Sequence, residues 1–205
     1  MIAKAEREQI IALINREVVP AIGCTEPIAV ALCVAKATET LGCKPEKIQA
    51  LLSANILKNA MGVGIPGTGM IGLPIAIALG ALIGKSEYQL EVLKDSTPEA
   101  VEAGKKLIDS QAINIGLKYG IEEKLYIEII CEAEGKKATA IISGGHTNFV
   151  YVAHGEEVLV NKQTASSNEA TSDDVELTLR KVYDFAMETP IEELKFILET
   201  RNLNK

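Results

Sequence analysis

Aromatic side chains are scarce in this chain, with no Trp, three Phe and five Tyr among 205 residues. Platforms that stack nucleic-acid bases are therefore not expected. Basic clusters are missing as well, and the net charge of −7 argues against a nucleic-acid surface or an anionic membrane as partner. There are only two histidines, and His-Glu-x-x-His and Gly-x-Ser-x-Gly are absent; Gly84-Lys85-Ser86 occurs, but Leu79 stands where the P-loop pattern needs its first glycine. Zinc-protease, hydrolase-elbow and P-loop chemistry thus have no support. Cys24, Cys33, Cys43 and Cys131 form neither a Cys-x-x-Cys pair nor a dense disulfide framework. The opening Met1-Ile-Ala-Lys-Ala-Glu-Arg-Glu has no apolar h-region, so no signal peptide is expected. The simple reading is a reduced, cytoplasmic protein.

What is present is a large apolar fraction, 47%, enough to bury a core as one domain or one and a fraction. From Asn59 to Gly84 no residue is charged, and Lys58 and Lys85 flank the gap. That length would cross a bilayer. Its first half, however, holds Gly62, Gly64, Pro66, Gly67 and Gly69, which would strand backbone polar groups in lipid. Only about Met70 to Ile83 reads as helix, and a buried core helix is the expectation.

The chain falls into three zones, read as one incomplete catalytic-type domain over 1–205. Residues 1–111 are helical with a Gly-rich loop. Ile10, Ile11, Ile14 and Val18 form a helical stripe closed by Pro20. Thr25 is placed to cap a helix running to Leu41, with Gly42 as its stop. Residues 47–61 read either as a helix or as a short strand and helix. Ser96-Thr97-Pro98-Glu99 opens a further helix. Residues 112–162 change period: Leu125, Ile127, Ile129, Cys131 and Ala133 alternate with polar neighbours, as in a half-buried strand. Partners follow at 138–143, 149–153 and 158–160, with 112–118 as an edge strand. Residues 172–205 return to helix, from Asp173 to Met187 and then from a Thr189-Pro190-Ile191-Glu192 capping box. The class is α+β, a small antiparallel meander over about 112–160 packed among N- and C-terminal helices.

Chemistry concentrates in three places. Cys24 follows Gly23 and precedes a helix start, where free N–H groups and a partial positive charge favour thiolate. It reads as nucleophile, metal ligand or inert residue; Cys33 and Cys131 read as core, and Cys43 carries no signal. Gly62-x-Gly64-x-x-Gly67 matches the dinucleotide fingerprint formally, but Lys58-Asn59-Ala60 stands where a buried strand is required and Pro66 where a helix should open. A structural turn or a small-anion loop remains. Ser143-Gly144-Gly145-His146-Thr147-Asn148 is either a bland hairpin connection or a functional loop carrying His146, whereas His154 reads as a surface hairpin residue. Lys58, between Asn55 and Asn59, is either a solvated helix end or a group for carboxylate binding or proton transfer.

Gly23-Cys24-Thr25-Glu26-Pro27, the run from Ser53 through Asn55, Lys58 and Asn59 to Gly69, Leu90-Glu91-Val92-Leu93 and His146-Thr147-Asn148 together resemble the L-cysteine desulfidase family. That family is related to the alpha chain of iron–sulfur L-serine dehydratases, and the resemblance runs along essentially the whole chain. It implies a lyase that converts L-cysteine to pyruvate, ammonia and sulfide on a [4Fe-4S] cluster. Cys24 would be one cluster ligand. Lys58 and the Gly62–Gly69 loop, Gly67 included, would suit the substrate carboxylate. Asn55, Asn59, Thr68 and His146 would orient the amino acid or handle a proton, with Lys58 and His146 as the catalytic candidates.

The same resemblance implies incompleteness. Family members continue into a half that carries the other cluster cysteines, and the remaining cysteines here match none of those positions. The cluster is expected of the complete enzyme and not of this chain alone. Expected partners are L-cysteine or L-serine and the missing C-terminal half or a partner chain, with homo-oligomerisation left open. The alternatives are a serine dehydratase alpha-chain-like subunit and a non-catalytic binding or structural subunit. An incomplete chain should also expose an apolar face where the absent half docks.

Overall fold

The computed structural model describes residues 2–162 and 175–200. In chain order the elements are α1 (Lys4–Glu17), α2 (Thr25–Leu41), β1 (Lys47–Leu52), α3 (Ala54–Ala60), β2 (Gly64–Ile65), β3 (Met70–Ile71) and α4 (Leu73–Ile83). A 3-10 turn at Ser86–Glu91 leads to α5 (Pro98–Asp109), β4 (Ile113–Leu117), β5 (Tyr126–Ala133), β6 (Lys136–Ser143), β7 (Phe149–His154) and β8 (Glu157–Asn161). α6 (Leu179–Glu188) and a second 3-10 segment, Ile191–Leu198, complete the order. The chain packs as two compact units, one spanning described residues 21–162 and the other built from 2–20 with 175–200.

In the larger unit six strands form a mixed sheet in the order β4-β1-β5-β6-β7-β8. The two-residue period decides which face is covered. Ile127, Ile129, Cys131 and Ala133 of β5 are buried, as are Ile48, Ala50 and Leu52 of β1 and Ala138, Ala140 and Ile142 of β6. That face receives α2, whose stretch from Ile28 to Ala35 is apolar all round and wholly sealed, as a helix between two layers must be. α4 lies on α2, and α5 lies on α4. The α2–α4 crossing is close because it is made of small residues. A Cβ on Gly80 would stand 2.6 Å from the Ala31 carbonyl oxygen, and one on Gly84 would stand 2.8 Å from the Ala35 Cβ.

The α+β class holds, with two corrections to the sheet. β1 belongs to it, so the strand-then-helix reading of 47–61 is the one adopted. β4 pairs with β1, in parallel, and does not extend an antiparallel meander. The long crossover through α3, α4 and α5 brings β4 back alongside β1, as a parallel pair requires. From β5 to β8 the strands are antiparallel as expected. Glu134 and Gly135, both at positive φ, make the β5–β6 turn.

Several helix ends also differ. Cys24, not Thr25, is the N-cap of α2, and no side chain caps it. Gly42 closes α2 in the left-handed region at φ 77°, as expected of a glycine stop. The uncharged segment begins its helix at Leu73, because Met70 and Ile71 pair with Ile65 and Gly64 in the β2–β3 hairpin. Among the described residues no helix is long and apolar enough to cross a membrane. The hairpin also disposes of the dinucleotide reading, since these glycines neither follow a sheet strand nor open a helix directly.

In the smaller unit α6 begins at Leu179, capped by the Thr178 hydroxyl, which accepts from the Lys181 N–H at 3.2 Å. The helix expected from Asp173 is shorter than that: residues 175–178 are not helical, while positions 173 and 174 lie outside the described residues. Thr189 does not act as the expected cap. Its buried hydroxyl finds no partner among the described residues, and Ile191–Leu198 is a 3-10 segment with no side-chain cap.

Candidate functional site

The N-terminus of α2 is where the separate motifs meet. Gly23 adopts φ +85°, and a Cβ there would lie 2.8 Å from the Pro66 ring, so only glycine allows the Gly-rich loop to seat on this corner. One residue on, the Cys24 thiol donates to Glu26 Oε2 at 3.0 Å. Glu26 sits in the first turn of α2, where the helix dipole favours an anion. Its other oxygen accepts from Asn59 Nδ2 of α3 at 3.3 Å, and Thr25 Oγ1 donates to Oε2 at 3.3 Å.

The electrostatics arise from that hub. The hydrogen bond from Cys24 chiefly holds Glu26 below the usual carboxylate range, helped by its own backbone N–H, by Asn59 and by the charge of His146. Cys24 moves the other way. The bond to Glu26 and partial burial raise its thiol above the ordinary range. This corrects the expectation that the helix start favours thiolate: a carboxylate 3.0 Å away outweighs the terminal dipole.

His146 lies on the β6–β7 loop and influences Glu26 through charge. That loop is closed by Asn148, whose side-chain amide donates to the Ser143 carbonyl at 2.9 Å and whose N–H donates to Gly145 at 3.2 Å. His146 is left half-buried between these bonds. Cys24 and Asn59, distant in sequence, therefore hydrogen-bond to one carboxylate, and His146 acts on it through charge alone.

The other expected site residues fare differently. Asn55 and Lys58 are exposed on α3, within a turn of Asn59 and on the same side of the helix. Thr68 is committed to its own loop: its hydroxyl donates to the Ile65 carbonyl at 2.7 Å and accepts from the Met70 N–H at 2.9 Å. Gly67, at φ +76°, supplies the turn beside Pro66 and is exposed. Ser53 is structural; buried, it caps α3 and donates to the Lys124 carbonyl at 2.7 Å. Sequence reasoning missed Glu26. The signal was available, an acid in the first helical turn two residues after the cysteine.

The cysteines do not make a cluster-holding set by themselves. Cys33 and Cys131 are sealed in the core, their thiols pushed up by burial, Cys131 to about 11 and Cys33 well above its ordinary range. Cys33 donates to the Ala140 carbonyl at 3.3 Å. Cys43 lies past the far end of α2, about 25 Å from Cys24 along a helix of this length. Among the described residues no group of three or more His, Cys, Asp or Glu is placed to hold a metal ion. A four-iron cluster needs three or four thiolates, and this chain brings one to the site.

Comparison with known proteins gives near relatives whose printed names state no activity. The chain is 80% identical to a UPF0597 protein of Phocaeicola vulgatus over 205 residues, all of this chain and 48% of that protein. It is 68% identical to a UPF0597 protein of Bacteroides thetaiotaomicron, covering 98% of this chain and 47% of the relative. A UPF0597 protein of Porphyromonas gingivalis is 48% identical over 97% of this chain and 47% of its own length. The chain thus spans about half the length of the curated relatives it matches. No family model matches it, and no solved structure does.

Proposed function

We propose that this chain is the N-terminal part of an iron–sulfur-dependent amino-acid lyase of the L-cysteine desulfidase type, working in the reducing cytoplasm. The observation that carries the reading is the Glu26 carboxylate at the α2 start, hydrogen-bonded by both Cys24 and Asn59. Four free cysteines suit a reducing compartment.

In the overall reaction the substrate loses its α-proton to a base and its Cβ–S bond breaks, with sulfide leaving. The resulting 2-aminoacrylate tautomerises to an imine, which takes up water to release ammonia and pyruvate. Glu26 is ionised at neutral pH and can accept a proton, and His146, on the β6–β7 loop, is the candidate to relay one. Asn59 fixes one carboxylate oxygen. Lys58 and Asn55 offer a cation and an amide for the substrate carboxylate. Cys24 is the single thiol that this part of the enzyme presents. The other cluster ligands would come from the second half. L-Serine, with the same carboxylate and amine, is the alternative substrate.

The test is anaerobic iron–sulfur reconstitution of the chain alone and joined to the remaining half of the Phocaeicola vulgatus relative. The reading expects stoichiometric iron and acid-labile sulfide only in the joined protein, and their loss in Cys24→Ser. Equal loading of the joined protein with and without Cys24 would remove Cys24 from the ligand set and with it the basis for this assignment.

A further inference from the structure

α6 is amphipathic in the wrong sense for a helix packed by its apolar side. Lys181, Phe185 and Glu188, spaced i, i+4, i+7, form one stripe, and polar contacts of this stripe hold it to the first residues of the chain. Lys181 Nζ pairs with Glu6 Oε1 of α1 at 2.9 Å, and the Ile2 N–H donates to Glu188 Oε2 at 3.2 Å. Phe185 is the one buried residue of α6. The 3-10 segment is tied to α1 in the same manner, with Arg7 donating to both oxygens of Glu193 at 2.9 and 3.0 Å.

The apolar stripe is on the outside. Leu179, Val182, Tyr183 and Met187, at helical spacing on one face, are 88%, 48%, 58% and 67% exposed. A surface helix ordinarily turns such a stripe to the core. Tyr and Met are also types enriched where proteins meet. Contiguous exposure of this kind marks an interaction surface.

We infer that the Leu179–Met187 face of α6 is the docking surface for the second half of the polypeptide that the relatives carry. Each of the three relatives described above has slightly more than half of its length outside the matched region. A helix of ten residues, about 15 Å long, falls short of the roughly 800 Å² per partner that a stable independent dimer buries. A tethered partner, present at about millimolar effective concentration, needs far less area. This inference rests on the reading that the chain works with a second half, and it names where that half sits.

The experiment is hydrogen-exchange mass spectrometry on the α6 peptide, in the chain alone and in the chain joined to the remaining half of the Phocaeicola vulgatus relative. The expected result is at least about tenfold slower exchange in the joined protein. That protection is lost in Leu179→Glu/Met187→Glu, with circular dichroism unchanged, and retained in Lys105→Ala, on α5 in the larger unit. Exchange unaltered by joining would overturn the inference. So would protection that rises with concentration in the chain alone together with a dimer in sedimentation, which would assign the face to a second copy. The readout needs no turnover. Protected α6 in a protein inactive on L-cysteine keeps this inference and removes the lyase reading; activity with unprotected α6 does the reverse.

Discussion

The Cys24 thiol donates a 3.0 Å hydrogen bond to the Glu26 carboxylate, so the acid and the thiol two residues apart share one proton-binding neighbourhood. Because thiolate would face that carboxylate, the thiol is held above its ordinary range and stays protonated at neutral pH. Alkylation of Cys24 should therefore rise with pH, with a midpoint above the usual thiol value of about 8.5. Glu26→Gln removes the negative charge, which lowers the thiol pKa. At pH 7.5 it should speed alkylation about three- to tenfold, since one pKa unit is a tenfold change in thiolate. Peptide mass mapping after timed iodoacetamide labelling reads this directly; a slower variant would refute the assigned sign.

In the joined protein Glu26→Gln and His146→Ala should each lower kcat by about 10²- to 10⁴-fold, the range for loss of a positioned proton-transfer group. Lys58→Met should act differently, raising KM for L-cysteine more than it lowers kcat, as expected of a residue that holds the carboxylate in ground and transition state alike. Thr68→Val should cost stability and not turnover, because its hydroxyl is engaged by Ile65 and Met70. Steady-state kinetics with thermal melts separates the three behaviours.

Close packing gives a second set of expectations. Gly80→Val forces side-chain atoms against the Ala31 carbonyl, 2.6 Å from where even a Cβ would sit. Overpacking of this kind costs about 1–3 kcal/mol. Gly23→Ala combines a left-handed φ, worth about 1–2 kcal/mol, with a clash against Pro66. Urea denaturation should show both as lower midpoints with unchanged slopes. Only Gly23→Ala should also alter Cys24 labelling.

The smaller unit should respond to acid. Arg7 holds Glu193 below its ordinary pKa through a paired hydrogen bond. A depressed carboxylate stabilises the folded form above its unfolded pKa, near 4.3, and that contribution fades as pH falls through the lower folded value. Below about pH 4, amides of α1 should exchange faster before the sheet does. Glu193→Gln should show the same loosening at neutral pH and no further acid response at this site.

Much of the fold was legible because its signals are local. Alternation from Ile127 to Ala133 gave β5 and its buried face. Gly135, Gly155 and the Ser143–Asn148 run marked the turns of the antiparallel strands, and Thr97 marked the start of α5. The features that escaped depend on distant chain. β1 and β4 pair across some sixty residues, and neither strand's pattern names its partner. Met70 and Ile71 look like the start of an apolar helix until Gly64 and Ile65 claim them. The site shows the same division. Cys24, Asn59 and His146 could each be picked out by type and neighbourhood. The residue that unites them, Glu26, draws its importance from three-dimensional convergence. The reversed facing of α6 was equally invisible, because a periodic stripe does not say which side is covered.

The most direct measurement is anaerobic release of sulfide and pyruvate from L-cysteine by the reconstituted joined protein, beside the chain alone and Cys24→Ser. The expected result is equimolar sulfide and pyruvate from the joined protein only, abolished by Cys24→Ser, with L-serine run in parallel to assign the substrate. No turnover of either amino acid by a joined protein loaded with iron and sulfide would contradict the lyase assignment.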